Sequence, residues 1–279
     1  MYRMAIQKEL KFFPVENANK KRLTAEQIES FNKSGFIFPV TVFNSFQIQK
    51  ISTYFNSLLD SAKKVGYEDY SVNGWHYHCR GIYDIMMSSV ILDCVSDLLG
   101  PNVLNIMTHL FYKKSQDKRR VSWHQDASYW PLTPTKTVTV WLALDDVSEQ
   151  NGAMKFIPGS HCQGQIPFQT SDLKEQNVLN QTVADPQGWG ESAVSIELKA
   201  GQISIHSDLL LHGSEPNFSK TDRRGLTLRY MPSDVQCIDS NFGKNRRAFQ
   251  CLGKNPEKHW SVLQPPIGEA IPLKLEPPL

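Results

Sequence analysis

His124-Gln125-Asp126 sets an imidazole and a carboxylate two residues apart, and His212 stands far downstream. On extended backbone, side chains at i and i+2 point to the same face, so one short segment can offer two ligands to a single metal ion. A histidine from a distant strand then completes three adjacent corners of an octahedron. Two histidines and one carboxylate suit an iron(II) ion that keeps three positions open for a co-substrate and O2. Zinc in the same set could act only as a Lewis acid.

A second triplet, His206-Ser207-Asp208, competes with the first. It leaves as downstream histidines only His212, four residues beyond Asp208, and His259 in a Pro-rich tail, so it is read as structural. His212 is followed by Gly-Ser-Glu-Pro-Asn217 and then, eleven residues on, by Arg223. An arginine at that position can grip a carboxylate in the bidentate manner that the far end of 2-oxoglutarate requires.

The bulk properties narrow the class. A chain of 279 residues can be one large β domain. A net charge of +2 and a pI near 8.2 imply neither a nucleic-acid partner nor an anionic membrane. No run reaches the roughly 18 apolar residues of a membrane span, and the first twenty residues are too polar for a signal peptide. The five cysteines are scattered, with no Cys-x-x-Cys pair, which reads as reduced thiols in a cytoplasmic setting.

The elements that must position the ligands follow from periodicity. Thr24-x-x-Gln27 is a capping box that opens a short helix with Ile28 and Phe31 inward and Gly35 at its end. Phe36–Pro39 reads as a strand entering the core. Asn44-x-x-Gln47 opens a second helix whose apolar stripe from Ile48 to Ala62 keeps a 3.6 period. A third helix runs from Ser89 to Leu99, stopped by Gly100-Pro101. From Val103 the texture changes to short β-rich runs at 103–112, 121–126, 137–144, 154–157, 194–198, 202–206 and 226–231. Such runs, without helices between them, predict a mainly β fold, a two-sheet jelly roll braced by the N-terminal α-helices. The expected organisation is a single domain with an extension (1–20), a helical brace (24–100), a jelly-roll core (101–235) and a C-terminal segment (236–279). The weakly periodic stretch 162–193 is expected to act as a lid over the barrel mouth.

These residues, with Thr137-Val-Thr-Val-Trp141, Asn151-Gly152, Pro158-Gly-Ser-His161 and the segment from His212 to Arg223, resemble the phytanoyl-CoA dioxygenase family. The resemblance covers nearly the whole chain. It implies a double-stranded β-helix of the cupin type and dependence on iron(II), 2-oxoglutarate and O2. It also implies that His124, Asp126 and His212 ligate the iron, that Arg223 clamps the distal carboxylate, and that Trp141 and Thr139 wall the co-substrate pocket. Arg224 is excluded as the clamp because adjacent strand residues face opposite ways. His161 is read as a turn residue.

Arg229-Tyr-Met-Pro-Ser233 is similar to the family's small-molecule branch, which includes free-standing halogenases and phosphonate hydroxylases and implies a place in secondary metabolism. In the halogenases a small residue replaces the acid of His-x-Asp. Asp126 fills that place here, so the resemblance implies oxygenation. Candidate substrate contacts are Asn73, His76, His78 and Arg80 in the dense segment before the barrel, His109 on the strand preceding the metal motif, Tyr129 and Trp130 just past Asp126, and Arg229. The basic run Lys113, Lys114, Lys118, Arg119, Arg120 is read as a solvated hairpin face, with attraction of an anionic substrate as its functional alternative. The activity that results is hydroxylation of an unactivated C–H bond of a small molecule. Desaturation, cyclisation or epoxidation with the same cofactors stays open, as do a non-redox metal enzyme and a ligand-binding jelly roll.

Overall fold

The computed structural model describes residues 10–17, 19–68, 72–171, 176–239 and 247–272. Four helices precede the barrel: α1 (Ala25–Ser34), α2 (Ser45–Lys64), α3 (Arg80–Met86) and α4 (Ser89–Leu99). The first two open on complete capping boxes, Thr24 with Gln27 and Asn44 with Gln47, each satisfying two otherwise orphaned N–H groups. Gly35 ends α1 at φ 88°, where the His161 ring lies so close that any Cβ would collide with it. Helix α3 was not expected; its seven residues are too few for a helical period to show. Among the described residues no helix is long and apolar enough to cross a membrane.

The strands in chain order are β1 (Phe36–Thr41), β2 (Val103–Lys113), β3 (Val121–His124), β4 (Leu132–Thr133) and β5 (Val138–Ala143). Then come β6 (Met154–Phe156), β7 (Gln169–Thr170), β8 (Gln181–Thr182), β9 (Val194–Ile196) and β10 (Gln202–Ser207). The last are β11 (His212–Ser214), β12 (Arg223–Pro232), β13 (Gln236–Cys237), β14 (Arg247–Leu252) and β15 (Ser261–Val262). Among the described residues they form a seven-stranded sheet, β1-β10-β5-β12-β2-β14-β15, facing a four-stranded sheet, β3-β11-β6-β9, with two further pairs, β13-β4 and β7-β8. The fold is mainly β, a jelly roll of the cupin type. The large sheet is antiparallel except at β14–β15.

Alternation along the large sheet divides two environments. Leu226, Leu228 and Tyr230 of β12, Val138, Val140 and Leu142 of β5, and Ile203 and Ile205 of β10 turn outward into the apolar layer under α1–α4. Arg224 shares that outward parity. It makes a two-pronged contact with Asp145 (2.9 and 2.6 Å) and reaches Ser52 and Asn56 of α2, so it pins helix to sheet. The odd residues of β12 face the barrel interior.

Three expectations change, and a fourth gains a position. The strand predicted over 121–126 ends at His124, and Asp126 opens a short 3-10 turn. The C-terminal segment contributes β14, which pairs with β2 inside the large sheet. The described part of 162–193, expected as a lid, lies along β3: β7 pairs with β8, Val183 N–H donates to Trp123, and Ser122 Oγ donates to Gln181. The basic run is not uniformly solvated, since Lys113 is 1% exposed and donates to Ser214 and Glu215, and Arg119 pairs with Asp117 at 2.8 Å. Of the extension 1–20, residues 1–9 and 18 lie outside the described residues; Val15 exchanges hydrogen bonds with Asn32 of α1.

His76 sits in the apolar layer outside the barrel, against Tyr77 and Phe249, with Nδ1 3.0 Å from Thr108 Oγ1. Burial, helped by His78, pushes its imidazole down to about 3. Folded His76 therefore stays neutral where the unfolded chain takes up a proton, below about pH 6.5, so acidification favours unfolding. Urea unfolding of the apoprotein at pH 7 and pH 5 tests this. The wild type should lose about 2 kcal/mol more over that interval than His76→Phe; equal losses would refute it.

Candidate active site

One row of side chains crosses three neighbouring strands on the inner face of the large sheet: Arg229 of β12 is paired with Thr139 of β5, which is paired with His206 of β10. The next row holds Thr227, Trp141 and Ser204. Above them, in the small sheet, His212 of β11 is the direct cross-strand partner of His124 of β3. The two imidazoles meet at 4.1 Å between ring centres. Gln125 keeps extended dihedrals (φ −107°, ψ 131°), so His124 and Asp126 share a side although the strand has ended.

His124, Asp126 and His212 are all buried, and each offers a ligand atom within 4.8 Å of the others. Among the described residues no other group of three His, Cys, Asp or Glu comes this close. Each histidine is oriented by the same device, an Nδ1 contact with the carbonyl two residues earlier: Ser122 at 2.8 Å for His124 and Leu210 at 2.9 Å for His212. With the Nδ1 proton held there, Nε2 is the atom each ring offers to a metal. Thr139 Oγ1 donates to Asp126 Oδ2 at 2.7 Å, while Oδ1 stands 3.8 Å from His124 Nε2. Gln125 points the other way and is satisfied by Gly164, Leu209 and Ile166, tying the metal strand to two loops.

Electrostatics prepares the set. Burial, and then His212, pushes His124 down to about 3; burial also lowers His212 against the pull of Asp126. Burial alone would raise Asp126, but Arg229 and the neighbouring histidines hold it well below the usual carboxylate range. At neutral pH the trio is therefore two neutral imidazoles and one carboxylate, the protonation state that iron(II) needs.

His124, Asp126 and His212 line one cavity whose wall also holds Arg223. Arg223 Nη2 donates to Gly152 O at 2.8 Å and its guanidinium lies 5.4 Å from the Trp141 ring. Gly152 takes φ 79° with Glu215 and Pro216 carbonyls against it, which explains the Asn151-Gly152 pair. Gly225, between Arg223 and Thr227, lies directly beneath the indole of Trp141, and a Cβ there would run into the ring. Neither glycine's contact, with Arg223 or with Trp141, shows in the sequence, because each joins segments distant along the chain.

On the opposite side Arg229 lies 5.1 Å from the Trp130 ring, and Tyr129 stands edge-on to His124 at 5.9 Å. His109 is the cross-strand partner of Thr227 and stacks on Phe111, which lines the cavity. Asn73 reaches this region only through its backbone bridge to His109. His76 is in the outer layer, the His78 carbonyl accepts from Ala270, and Arg80 pairs with Asp84 on the surface, so these three do not join the cavity. His206, set aside in the sequence, does line it: Nε2 is 3.9 Å from Asp126 Oδ2 and its ring is 4.7 Å from His212. Its parity with Thr139 was the available signal.

Residues 33–225 match the model of the phytanoyl-CoA dioxygenase family. The chain belongs to this family. Relatives include a probable alpha-ketoglutarate-dependent hypophosphite dioxygenase of Stutzerimonas stutzeri, 29% identical over 165 residues, covering 57% of this chain and 56% of that protein. Human peroxisomal phytanoyl-CoA dioxygenase is 26% identical over 155 residues, covering 53% and 45%. The chain thus spans about half the length of the curated relatives it matches. The solved apo structure of the non-heme monooxygenase ThoJ is 26% identical with a TM-score of 0.75, covering 86% of this chain and 88% of that one. CytC3 with Fe(II) and alpha-ketoglutarate, 22% identical at TM-score 0.65 and covering 86% and 93%, shares the fold of this family member.

Two substitutions separate the metal from the clamp. Thr139→Val keeps shape but removes the hydrogen bond that orients Asp126, and should weaken iron(II) binding by roughly 10- to 100-fold in anaerobic equilibrium dialysis; unchanged affinity would contradict the role. Gly225→Ala should displace Trp141 and raise the 2-oxoglutarate KM by roughly tenfold or more while iron affinity holds. An unaltered KM would remove Gly225 from the clamp.

Proposed function

We propose that this protein is an iron(II)- and 2-oxoglutarate-dependent dioxygenase that hydroxylates an unactivated C–H bond of a small molecule. The observation that carries the reading is one cavity holding both a two-histidine, one-carboxylate group and, at its end, a buried arginine suited to a carboxylate. His124, Asp126 and His212 would hold the metal, and Arg223 would hold the distal carboxylate of 2-oxoglutarate, with Trp141 against it. When bound, iron(II) and 2-oxoglutarate activate O2, and the net reaction is R–H + 2-oxoglutarate + O2 → R–OH + succinate + CO2.

The chain's own contribution is positioning and dryness. Thr139 fixes the carboxylate, the Ser122 and Leu210 carbonyls fix the imidazoles, and Gly152 fixes the clamp. Trp130, Tyr129 and the apolar cluster behind them exclude water from the far side. A zinc-type hydrolase or isomerase has no use for Arg223 in this place. The substrate is read as anion-bearing, in keeping with relatives named for hypophosphite and phytanoyl-CoA. Five scattered cysteines with no Cys-x-x-Cys pair fit work in a reducing compartment such as the cytoplasm.

Anaerobic titration of apoprotein with iron(II) and then 2-oxoglutarate tests the proposal. A weak visible metal-to-ligand band should need both additions, and Arg223→Gln should bind iron normally while losing about two orders of magnitude in 2-oxoglutarate affinity. Well-folded, iron-loaded protein without the band would favour the non-redox metal enzyme.

A further inference from the structure

The cavity wall carries a second arginine for which the co-substrate has no use. Arg223 and Arg229 both face inward from β12, six residues and thus roughly 20 Å of strand apart. A five-carbon diacid with its distal carboxylate on Arg223 gives its other carboxylate to the metal, so it brings no further charge to balance Arg229. Arg229 is 6% exposed and packed against Trp130. Nη1 donates to Thr227 Oγ1 at 3.0 Å, whereas Nε has no partner and Nη2 stands 3.7 Å from Asp126 Oδ1, longer than a hydrogen bond. The side-on Nε/Nη2 edge, the fork that pairs with an oxyanion, therefore makes only the long ion-pair contact with Asp126 and carries no hydrogen bond among the described residues.

Charge leads to the same edge. The charged side chains in the wall are Asp126, Arg223 and Arg229. Lys113 lies outside it, turned to the Ser214 and Glu215 oxygens. Resting on the oxygenase reading, the loaded site counts two positive charges from iron(II), offset by Asp126 and the chelating carboxylate, and Arg223 offset by the distal carboxylate. Arg229 remains as one uncompensated buried positive charge, a state that proteins avoid.

We propose that Arg229 anchors a monoanionic oxyanion group of the substrate, a carboxylate or a phosphonate monoester, beside the metal and under Trp130. Thr227 holds the guanidinium plane and the indole covers its face. The anion completes the charge balance, so substrate and 2-oxoglutarate occupy opposite arginines of one strand. A neutral analogue of the same shape leaves Arg229 unpaired and binds more weakly.

The test uses protein carrying iron(II) and saturating 2-oxoglutarate under anaerobic conditions, which blocks Arg223. Two matched pairs of probes are added: propionate with propionamide, and methyl methylphosphonate with dimethyl methylphosphonate. The visible band and the thermal midpoint are read. At least one anion should shift both with saturation, about tenfold tighter than its neutral partner, and which pair responds identifies the oxyanion. Arg229→Gln should abolish the preference while keeping the band, and Arg229→Lys should retain it in part. Neutral probes that bind as well as anions, or a preference that survives in Arg229→Gln, would overturn the assignment while leaving the oxygenase reading intact. Absence of the band in wild type would instead bring down the oxygenase reading and this inference with it. Should Arg229→Gln fail to fold, the wild-type probe pairs and Arg229→Lys decide.

Discussion

The period of two along a β-strand is the constraint on which this molecule depends. It sends Leu226, Leu228 and Tyr230 into the apolar layer and Arg223, Thr227 and Arg229 into the barrel, so one strand both holds the helices and furnishes the cavity. A slip of one residue would bury Arg224 in the barrel and put Leu226 against the metal. The register is enforced from outside. Arg224 is tied to Asp145 and to α2, and Tyr230 donates to the Met86 carbonyl.

Within the barrel the same geometry concentrates cost and function. Two arginines, one carboxylate and three histidines share one buried space, where a charge is costly unless a neighbour answers for it. The histidines stay neutral through burial, and Asp126 stays ionised chiefly because the Arg229 guanidinium stands beside it. The glycines under Trp141 and beside Arg223 let backbone and ring approach where a side chain would not fit. The site is thus set by strand pairing before any ligand arrives.

Much of this was legible in the chain itself. Capping boxes announced α1 and α2, because the cap is a local contact between residues three apart. The His-x-Asp spacing brought two ligands to one side even though the strand stopped at His124, since Gln125 remained extended. Parity separated Arg223 from Arg224. What escaped was tertiary. Lys113 looked like one of five surface cations, yet its strand continues inward beside Arg223. The 162–193 stretch lacks period because it is shaped by contacts to β3 and not by its own faces. His206 shared its triplet with an acid, which drew attention away from its place opposite Thr139. His76 and Arg80 occur in a polar, aromatic segment whose composition does not say which side of the sheet it packs on.

Anomalous diffraction from crystals of the protein with iron(II) and 2-oxoglutarate, grown without oxygen, tests the central claim most directly. One metal peak is expected among His124 Nε2, Asp126 and His212 Nε2, with a dicarboxylate running from that peak to Arg223. A peak elsewhere, or 2-oxoglutarate with its far carboxylate on Arg229, would contradict it.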